Sequence, residues 1–372
     1  MIKTLLLTNT IAPYRIPVLN KLMENQEIRL KVWYLEEREK NRHWHINFEE
    51  IKYEFECLPG FHTYVQRLDM GVHVNPGIFL KLVREKPDVI ITSGYDTLGY
   101  WSALIYSRLF NKKLIVWWGS TLESSRVQNG IVNRIRRFFF KSASSFVTYG
   151  TESAKCLKYY GVDESKIVIG YNTVDIRYYR QRYQEARPFP KNSGRLKLLF
   201  IGQLIERKGL VQIIEALRLL GSSAWELQIV GTGPDENKLK QKVMDAGLEN
   251  QIYFEGYKQK EELTNYLIQS DCLLFPSLIE VWGLVVNEAL ATNTFVLASK
   301  YAGATKDIIL DQQNGLIIDP MDVGDLLRAF RWLMDNQEYV RSQWRMSIGI
   351  WRKLHPHSYA RAVSAAIKKA IS

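Results

Sequence analysis

Two carboxylates, Glu280 and Glu288, stand eight positions apart within residues 276–299, PSLIEVWGLVVNEALATNTFVLAS. Residues 272–276 form a short apolar run of strand length, and residues 277–281 break it. From Gly283 the apolar spacing suits a helix packed on a sheet, and residues 295–298 are β-prone again. Glu280 therefore precedes a helix N-terminus, and Glu288 lies about one turn inside that helix. Between them the first helix amides, near Gly283, Leu284 and Val285, carry roughly half a positive charge from the dipole. Such a terminus seats a phosphate, here with a hydroxyl acceptor on each side. The arrangement suits a nucleoside diphosphate sugar: sugar hydroxyls, phosphates, ribose hydroxyls. Upstream, Gly202 lets the backbone pass close to a ligand, and Arg207 and Lys208 supply cations. A departing nucleoside diphosphate gains charge, so these cations act mainly in the transition state and can replace a divalent metal.

The stretch resembles the E-x7-E signature of retaining glycosyltransferase family 4, in the variant E-x-W-G-L-V-V-N-E-A. Residues 200–209, FIGQLIERKG, are similar to that family's G-R-L-x-x-x-K-G or R-K-G loop, and residues 230–234, VGTGP, to its V-G-x-G-P turn. Phe254-Glu255-Gly256-Tyr257 resembles its F-x-G strand end, and Asn314-Gly315 and Asp319-Pro320 also fall in family order. The resemblance covers the C-terminal half almost continuously. The N-terminal half matches less specifically, through residues 12–17 and 171–175.

The resemblance implies a GT-B fold and roles for single residues. Glu280 contacts the donor sugar, with Arg207 and Lys208 completing the catalytic set. Glu288 contacts the ribose, the amides of Leu284 and Val285 the phosphate, and Tyr257 and Lys258 flank the base. Gly202, Gln203 and Gly283 complete the donor site. No cofactor and no metal are expected beyond a UDP- or GDP-linked donor sugar. Four departures stand out. Gln203 occupies a position where the family often has Arg, which leaves Arg207 as the second cation. Trp117-Trp118-Gly119 stands where a His is common, residues 8–13 replace a Gly-Gly turn, and Thr292-Asn293 replaces a small-Gly pair.

These residues need a scaffold. The 372 residues allow two domains of ordinary size. In the first half, apolar strand-like runs at residues 4–7, 30–33, 53–58, 89–92, 114–117, 145–148 and 167–169 alternate with helical stretches such as 15–24, 75–85 and 99–109. Alternation of this kind predicts an α/β fold, a parallel sheet covered on both faces. Ligands of such sheets bind beyond the carboxyl ends of the strands, which places residues 8–14, 93–97 and 119–125 at the working edge. Thr10, Tyr14, Arg15, Trp118 and Gly119 are assigned to an acceptor there. Residues 183–197, with two prolines and a glycine, read as a linker. A second alternating series follows, at 197–201, 226–230, 252–254, 272–276, 295–299 and 316–318, with helices at 323–335 and 358–371. The expectation is therefore two doubly wound Rossmann-like domains facing each other across a cleft. Residues 1–182 form the acceptor domain and 183–355 the donor domain, with a last helix, about 356–372, crossing back to the first.

Net charge is +11 and lopsided: residues 1–183 carry 27 Lys and Arg against 18 Asp and Glu, and residues 184–372 carry 23 against 21. Such a field describes partners rather than fold. Arg134, Arg136, Arg137 and Lys141 enclose Phe138-Phe139-Phe140, a pattern that docks on anionic lipid, with Phe139 among the inserting rings. The three cysteines, Cys57, Cys156 and Cys272, show neither metal spacing nor a disulfide framework, as in a reducing compartment. His43, His45, His62 and His73 show no ligand spacing. No signal-peptide pattern and no run of about 20 apolar residues occurs. The reading is a cytoplasmic enzyme, peripheral at the inner membrane face, that transfers a sugar to a lipid-linked or polysaccharide acceptor. Two other readings compete. A GT-B nucleotide-sugar epimerase would need acid/base groups in the first domain. A nucleic-acid-binding protein is suggested only by charge, and no such module is present.

Overall fold

The computed structural model describes every residue except 40–43, 66–69, 125–128, 187–193 and 343–345. Ser125, His43 and the middle of the expected linker thus lie outside the described residues. The chain divides into two compact units, Met1–Val174 with Lys353–Ser372, and Asp175–Arg352.

The first unit contains β1 (Ile2–Thr8), β2 (Ile28–Tyr34), β3 (Glu54–Cys57), β4 (Phe61–Val65), β5 (Met70–Val74), β6 (Val89–Thr92), β7 (Lys113–Trp118), β8 (Ser145–Tyr149) and β9 (Ile167–Gly170). Its helices are α1 (Ile16–Met23), α2 (Ile78–Glu85), α3 (Leu98–Leu109), α4 (Gly130–Ser142) and α5 (Thr151–Tyr159). Seven strands form one parallel sheet in the order β3-β2-β1-β6-β7-β8-β9. Helices cover both faces, so the central strands are buried throughout: every residue of β6 and β8 is buried. The order reverses between β1 and β6, the point where a crevice opens beyond the strand ends. Two strands stay out of this sheet, the antiparallel hairpin β4–β5. Its polar residues carry no strong apolar alternation, and the sequence reading passed over it.

The second unit opens with α6 (Ile176–Ala186) and continues β10 (Leu196–Ile201), α7 (Leu210–Leu220), β11 (Trp225–Val230), α8 (Glu236–Asp245), β12 (Ile252–Gly256), α9 (Lys260–Gln269), β13 (Cys272–Phe275) and α10 (Leu284–Ala291). It closes with β14 (Phe295–Ser299), α11 (Gly303–Ile308), β15 (Gly315–Ile318), α12 (Val323–Asp335), α13 (Gln337–Arg341) and the start of α14 (Ile348–Leu354). Its sheet is parallel, β12-β11-β10-β13-β14-β15, with the reversal between β10 and β13. Residues 183–186, read from the sequence as linker, are the last turn of α6. That helix belongs to the second unit because Ile176 and Tyr179 are buried and it packs on α9 and α10.

The last helix, α15 (Pro356–Ile371), belongs to the first unit and lies along α1 and β7–β9. Tyr359 is its anchor. The Trp117 indole N–H donates to the Tyr359 hydroxyl, and the two rings meet edge to face at 5.2 Å. Ser145 Oγ donates to the Ala366 carbonyl at 2.7 Å, and Asn25 Nδ2 to Ser364 Oγ at 2.9 Å. Deleting a fully buried aromatic side chain leaves a cavity. Tyr359→Ala should therefore cost about 3–5 kcal/mol, and Tyr359→Phe, which only orphans the indole N–H, about 1–3 kcal/mol. Urea denaturation followed by tryptophan fluorescence measures both; equal costs would mean that Tyr359 does not anchor the helix by packing.

Candidate active site

Three loops leave the carboxyl ends of β10, β11 and β13, and backbone hydrogen bonds tie them together. The Leu204 amide donates to the Thr232 carbonyl at 3.0 Å, and the Leu278 amide to the Arg207 carbonyl at 2.8 Å. Gly209 ends a 3-10 turn, Glu206–Lys208, in the left-handed region at φ 75°. A Cβ there would stand 2.1 Å from the Pro276 carbonyl oxygen, so only glycine lets the Arg207–Lys208 turn press on the loop that carries Glu280.

That contact brings Lys208 Nζ onto Glu280 Oε2, in a salt bridge whose side chains are 16% and 15% exposed. Burial alone would raise the Glu280 carboxyl. The charge and hydrogen bond of Lys208, with Arg207 behind it, outweigh burial and hold it below the usual carboxylate range. The ammonium also lies 5.9 Å from the centre of the Phe275 ring. Next in the chain, the Trp282 indole donates to Asn287 Oδ1 at 3.0 Å, both buried. Gly283, at φ 97°, turns the chain into α10, and a Cβ there would strike Phe275 at 2.2 Å. Among the described residues no side chain caps this helix start. The result is a helix N-terminus at Leu284 and Val285, with Glu280 on the loop leading into it and Lys208 brought to that carboxylate from the loop after β10.

Glu288 sits elsewhere, on the inner face of α10. It is half-buried and bonded to the Tyr179 hydroxyl from α6. Burial pushes its carboxyl up to about 7, against the Tyr179 hydrogen bond and the Lys260 charge, which pull it down. Lys260 lies 3.9 Å over the Tyr178 ring and 5.9 Å from that of Tyr179. Sequence reasoning missed Tyr179 and Lys260 as neighbours of Glu288, because neither lies in a motif. Gly202 and Gln203 sit at the end of β10, where a Cβ on Gly202 would be 3.9 Å from Lys208 Cε. Tyr257 is exposed beyond β12, and Lys258 faces Glu262 at 3.6 Å.

In the first unit the acceptor-side residues separate. Arg15 reaches across the switch point, donating to Thr8 Oγ1 at 2.6 Å, Ser93 Oγ at 3.4 Å and the Tyr149 hydroxyl at 2.6 Å. Tyr14 packs edge to face on Trp44 at 6.3 Å, and Thr10 donates to the Glu37 carbonyl at 2.7 Å. Gly119 carries a carbonyl that accepts from Ser153 Oγ at 2.5 Å. Trp118 is a correction: it is a core residue, 4.9 Å edge to face with Phe140 and tilted over Tyr95 at 6.0 Å. Two lipid-facing expectations are corrected too. Residues 136, 139 and 140 share one face of α4 at about 100° per residue, and that face is the inner one. Phe139 is fully buried, and Arg136 is buried with its guanidinium on the Tyr95 and Tyr160 hydroxyls and over both rings, at 5.3 and 4.6 Å. Arg134, Arg137 and Lys141 remain exposed.

Residues 181–346 match the model of the family described as Glycosyl transferases group 1. The amylovoran biosynthesis glycosyltransferase AmsK of Erwinia amylovora is 34% identical over 116 residues, 29% of this chain and 28% of that protein. An uncharacterized 41.2 kDa protein in the cps region of Klebsiella pneumoniae is 22% identical over 324 residues, 83% of this chain and 84% of its own length. The chain thus spans little more than a quarter of one of these relatives and most of the other. Among solved structures, Anabaena Alr3699/HepE in complex with UDP superposes with a TM-score of 0.76 at 16% identity, over 99% of this chain and 100% of that one. The two reversed parallel sheets, with their last helix in the first unit, therefore make a GT-B fold. Within that class, the segment that matches the glycosyl transferases group 1 model lies wholly in the second unit.

The raised Glu288 carboxyl has a measurable consequence. Below pH 4.5 native and unfolded states both hold the proton; between pH 4.5 and about 7 the unfolded chain ionises first. The native state should therefore lose on the order of 3 kcal/mol across that interval and stay level above it. Relative to Glu288→Gln, urea stability of the second unit should fall as pH rises. A stability difference that does not change with pH would mean that Glu288 titrates normally.

Proposed function

We propose that this protein is a retaining glycosyltransferase. It moves a sugar from a nucleoside diphosphate donor to a lipid-linked or polysaccharide acceptor in cell-surface glycan synthesis. The observation that carries the proposal is the ion pair between Lys208, on the loop after β10, and Glu280, on the loop entering α10, whose start no side chain caps among the described residues. An ionised carboxylate accepts hydrogen bonds from sugar hydroxyls. The amides of Leu284 and Val285 bind a phosphate through the helix dipole. Arg207 and Lys208 meet the charge that develops on the departing diphosphate, and so act on the transition state more than on the ground state. With that charge supplied by side chains, the donor site works without a divalent cation. Binding of UDP by the similarly folded Anabaena protein supports a UDP-linked donor; GDP is the other expectation. Glu288, with Tyr179, serves the ribose. The cps-region and amylovoran relatives support a polysaccharide or lipid-linked acceptor, received by the first unit near Arg15.

Lys208→Ala should lower turnover by ~10²–10³, the scale of one lost transition-state charge contact, while affinity for UDP changes less. Chelation with EDTA should leave UDP affinity unaltered. A requirement of UDP binding for Mg²⁺ or Mn²⁺, or a Lys208 variant with full turnover, would refute this account of the donor site.

We further infer that the first unit meets the cytoplasmic membrane surface through α3 and α4. Among the described residues no helix is long and apolar enough to cross a membrane. Instead α3 exposes Leu98, Ile105 and Leu109, and α4 exposes Ile131, Ile135 and Phe138. Trp101 stacked on Phe138 at 6.3 Å joins the two helices. Arg134, Arg137 and Lys141 flank the apolar row, each worth about 1 kcal/mol at an anionic surface. Replacing these three by Glu should abolish pelleting with anionic liposomes at low salt and leave UDP affinity unchanged. Unimpaired pelleting of the folded variant would make α4 a solvated face.

A further inference from the structure

We propose that the first unit holds a divalent transition-metal ion, of the Zn²⁺ type, between the β4–β5 hairpin and the segment after β2. The ligands are Glu36, His62 and His73. The two histidines are eleven residues apart in sequence, but the hairpin register sets them directly opposite one another. Their Nδ1 atoms lie 3.2 Å apart, and Glu36 Oε2 is 3.6 Å from His73 Nδ1. All three ligand atoms fall within 4.8 Å of one another. Two ligands of a tetrahedral ion, each about 2.0–2.1 Å from the metal, are about 3.3–3.4 Å apart. Two of the three separations, 3.2 and 3.6 Å, bracket that edge and the third is within 4.8 Å, so one ion fits with side-chain adjustment and keeps a fourth position for water. Two imidazoles and a carboxylate are a donor set that selects zinc-like ions over Mg²⁺ or Ca²⁺.

A second observation points the same way. The His73 side chain is fully buried, and among the described residues its Nε2 makes no hydrogen bond. This atom points at Glu39 Oε1, 3.7 Å away. A metal-bound histidine characteristically turns its other ring N–H to a carboxylate, which fixes the ring and raises its basicity. Glu39 stands where that partner belongs. The space between them is kept open by Gly71, on which a Cβ would stand 2.9 Å from His73 Nε2 and 3.4 Å from Glu39 Oε1. The scaffold is fixed before any ion arrives: buried Asn75 Nδ2 donates to the carbonyls of Leu35, Leu58 and Pro59 at 2.8, 3.2 and 3.1 Å, holding both ends of the hairpin to the end of β2. The ion clips a two-stranded hairpin, too small to be stable alone, to the edge of the sheet. The ligands all belong to the first unit, whereas the Lys208–Glu280 pair belongs to the second.

The test uses the full chain, stripped with chelator, dialysed and titrated with ZnCl₂ in a calorimeter, with Co²⁺ absorption as a second reading. One ion per chain is expected, with the intense visible bands of tetrahedral Co²⁺ and a higher urea midpoint. His62→Asn and Glu36→Gln should each weaken Zn²⁺ binding at least tenfold and remove the stabilisation. Glu36→Gln changes no side-chain volume, so it keeps the test decisive should His62→Asn fail to fold. Absence of saturable binding by the wild-type chain would reduce the cluster to a histidine–histidine hydrogen bond and overturn the proposal. Unchanged binding in Glu36→Gln would place any ion elsewhere, with the same result. Neither reading involves sugar transfer, so the outcome is independent of the donor-site proposal.

Discussion

A carboxylate taken out of water is costly unless an opposite charge touches it. The second unit is built so that Lys208 touches Glu280. Glu280 rides on the loop after β13 and Lys208 on the loop after β10, strands that are neighbours at the reversal of the sheet. The two loops approach closely enough only because Gly209 lies against the Pro276 carbonyl and the Leu278 amide binds the Arg207 carbonyl. Removing either charge would leave the other buried without compensation. The strand order, the glycine and the ion pair are thus one constraint on the loop that leads into α10.

Glu288 shows the opposite solution. Its immediate neighbours are a neutral phenol and Lys260, and these do not fully offset burial, so its carboxyl is raised where Glu280 is lowered. Environments that push two carboxyls apart divide their roles: one is ionised across the physiological range, the other poised near neutrality. The difference is the Lys208 ammonium, which touches Glu280 and has no counterpart at Glu288, where the nearest partner is the Tyr179 hydroxyl from α6.

The first unit spends its polar groups differently. Arg15 bridges Thr8, Ser93 and Tyr149, from β1, the end of β6 and β8, at the mouth of the crevice. Arg136, from a run of arginines that looks uniform in sequence, turns inward onto two tyrosine rings, while Arg134 and Arg137 stay in solvent. Helical rotation alone makes that separation. It leaves the outer face of α4 more apolar than its sequence suggests, with Ile131, Ile135 and Phe138 uncovered.

Much of this was legible in the chain itself. Alternation of buried strands with helical stretches implied two parallel sheets, because strands covered on both faces must be apolar along their whole length. The spacing of Glu280, Gly283 and Glu288 placed the loop and the start of α10 correctly, since local backbone geometry depends on nearby residues. Contacts between residues far apart in sequence were not legible. Nothing local to Glu288 reveals Tyr179, nothing at Trp118 tells core from sugar platform, and nothing in the spacing of His62 and His73 reveals a pair. Their proximity comes from an antiparallel register, in which a shift of one residue would turn one ring to the opposite face. Sequence decides which side chains share a turn or a strand face. Which elements meet, and so which charges and ligand atoms lie within bonding distance, is decided only when the whole sheet and its helices pack.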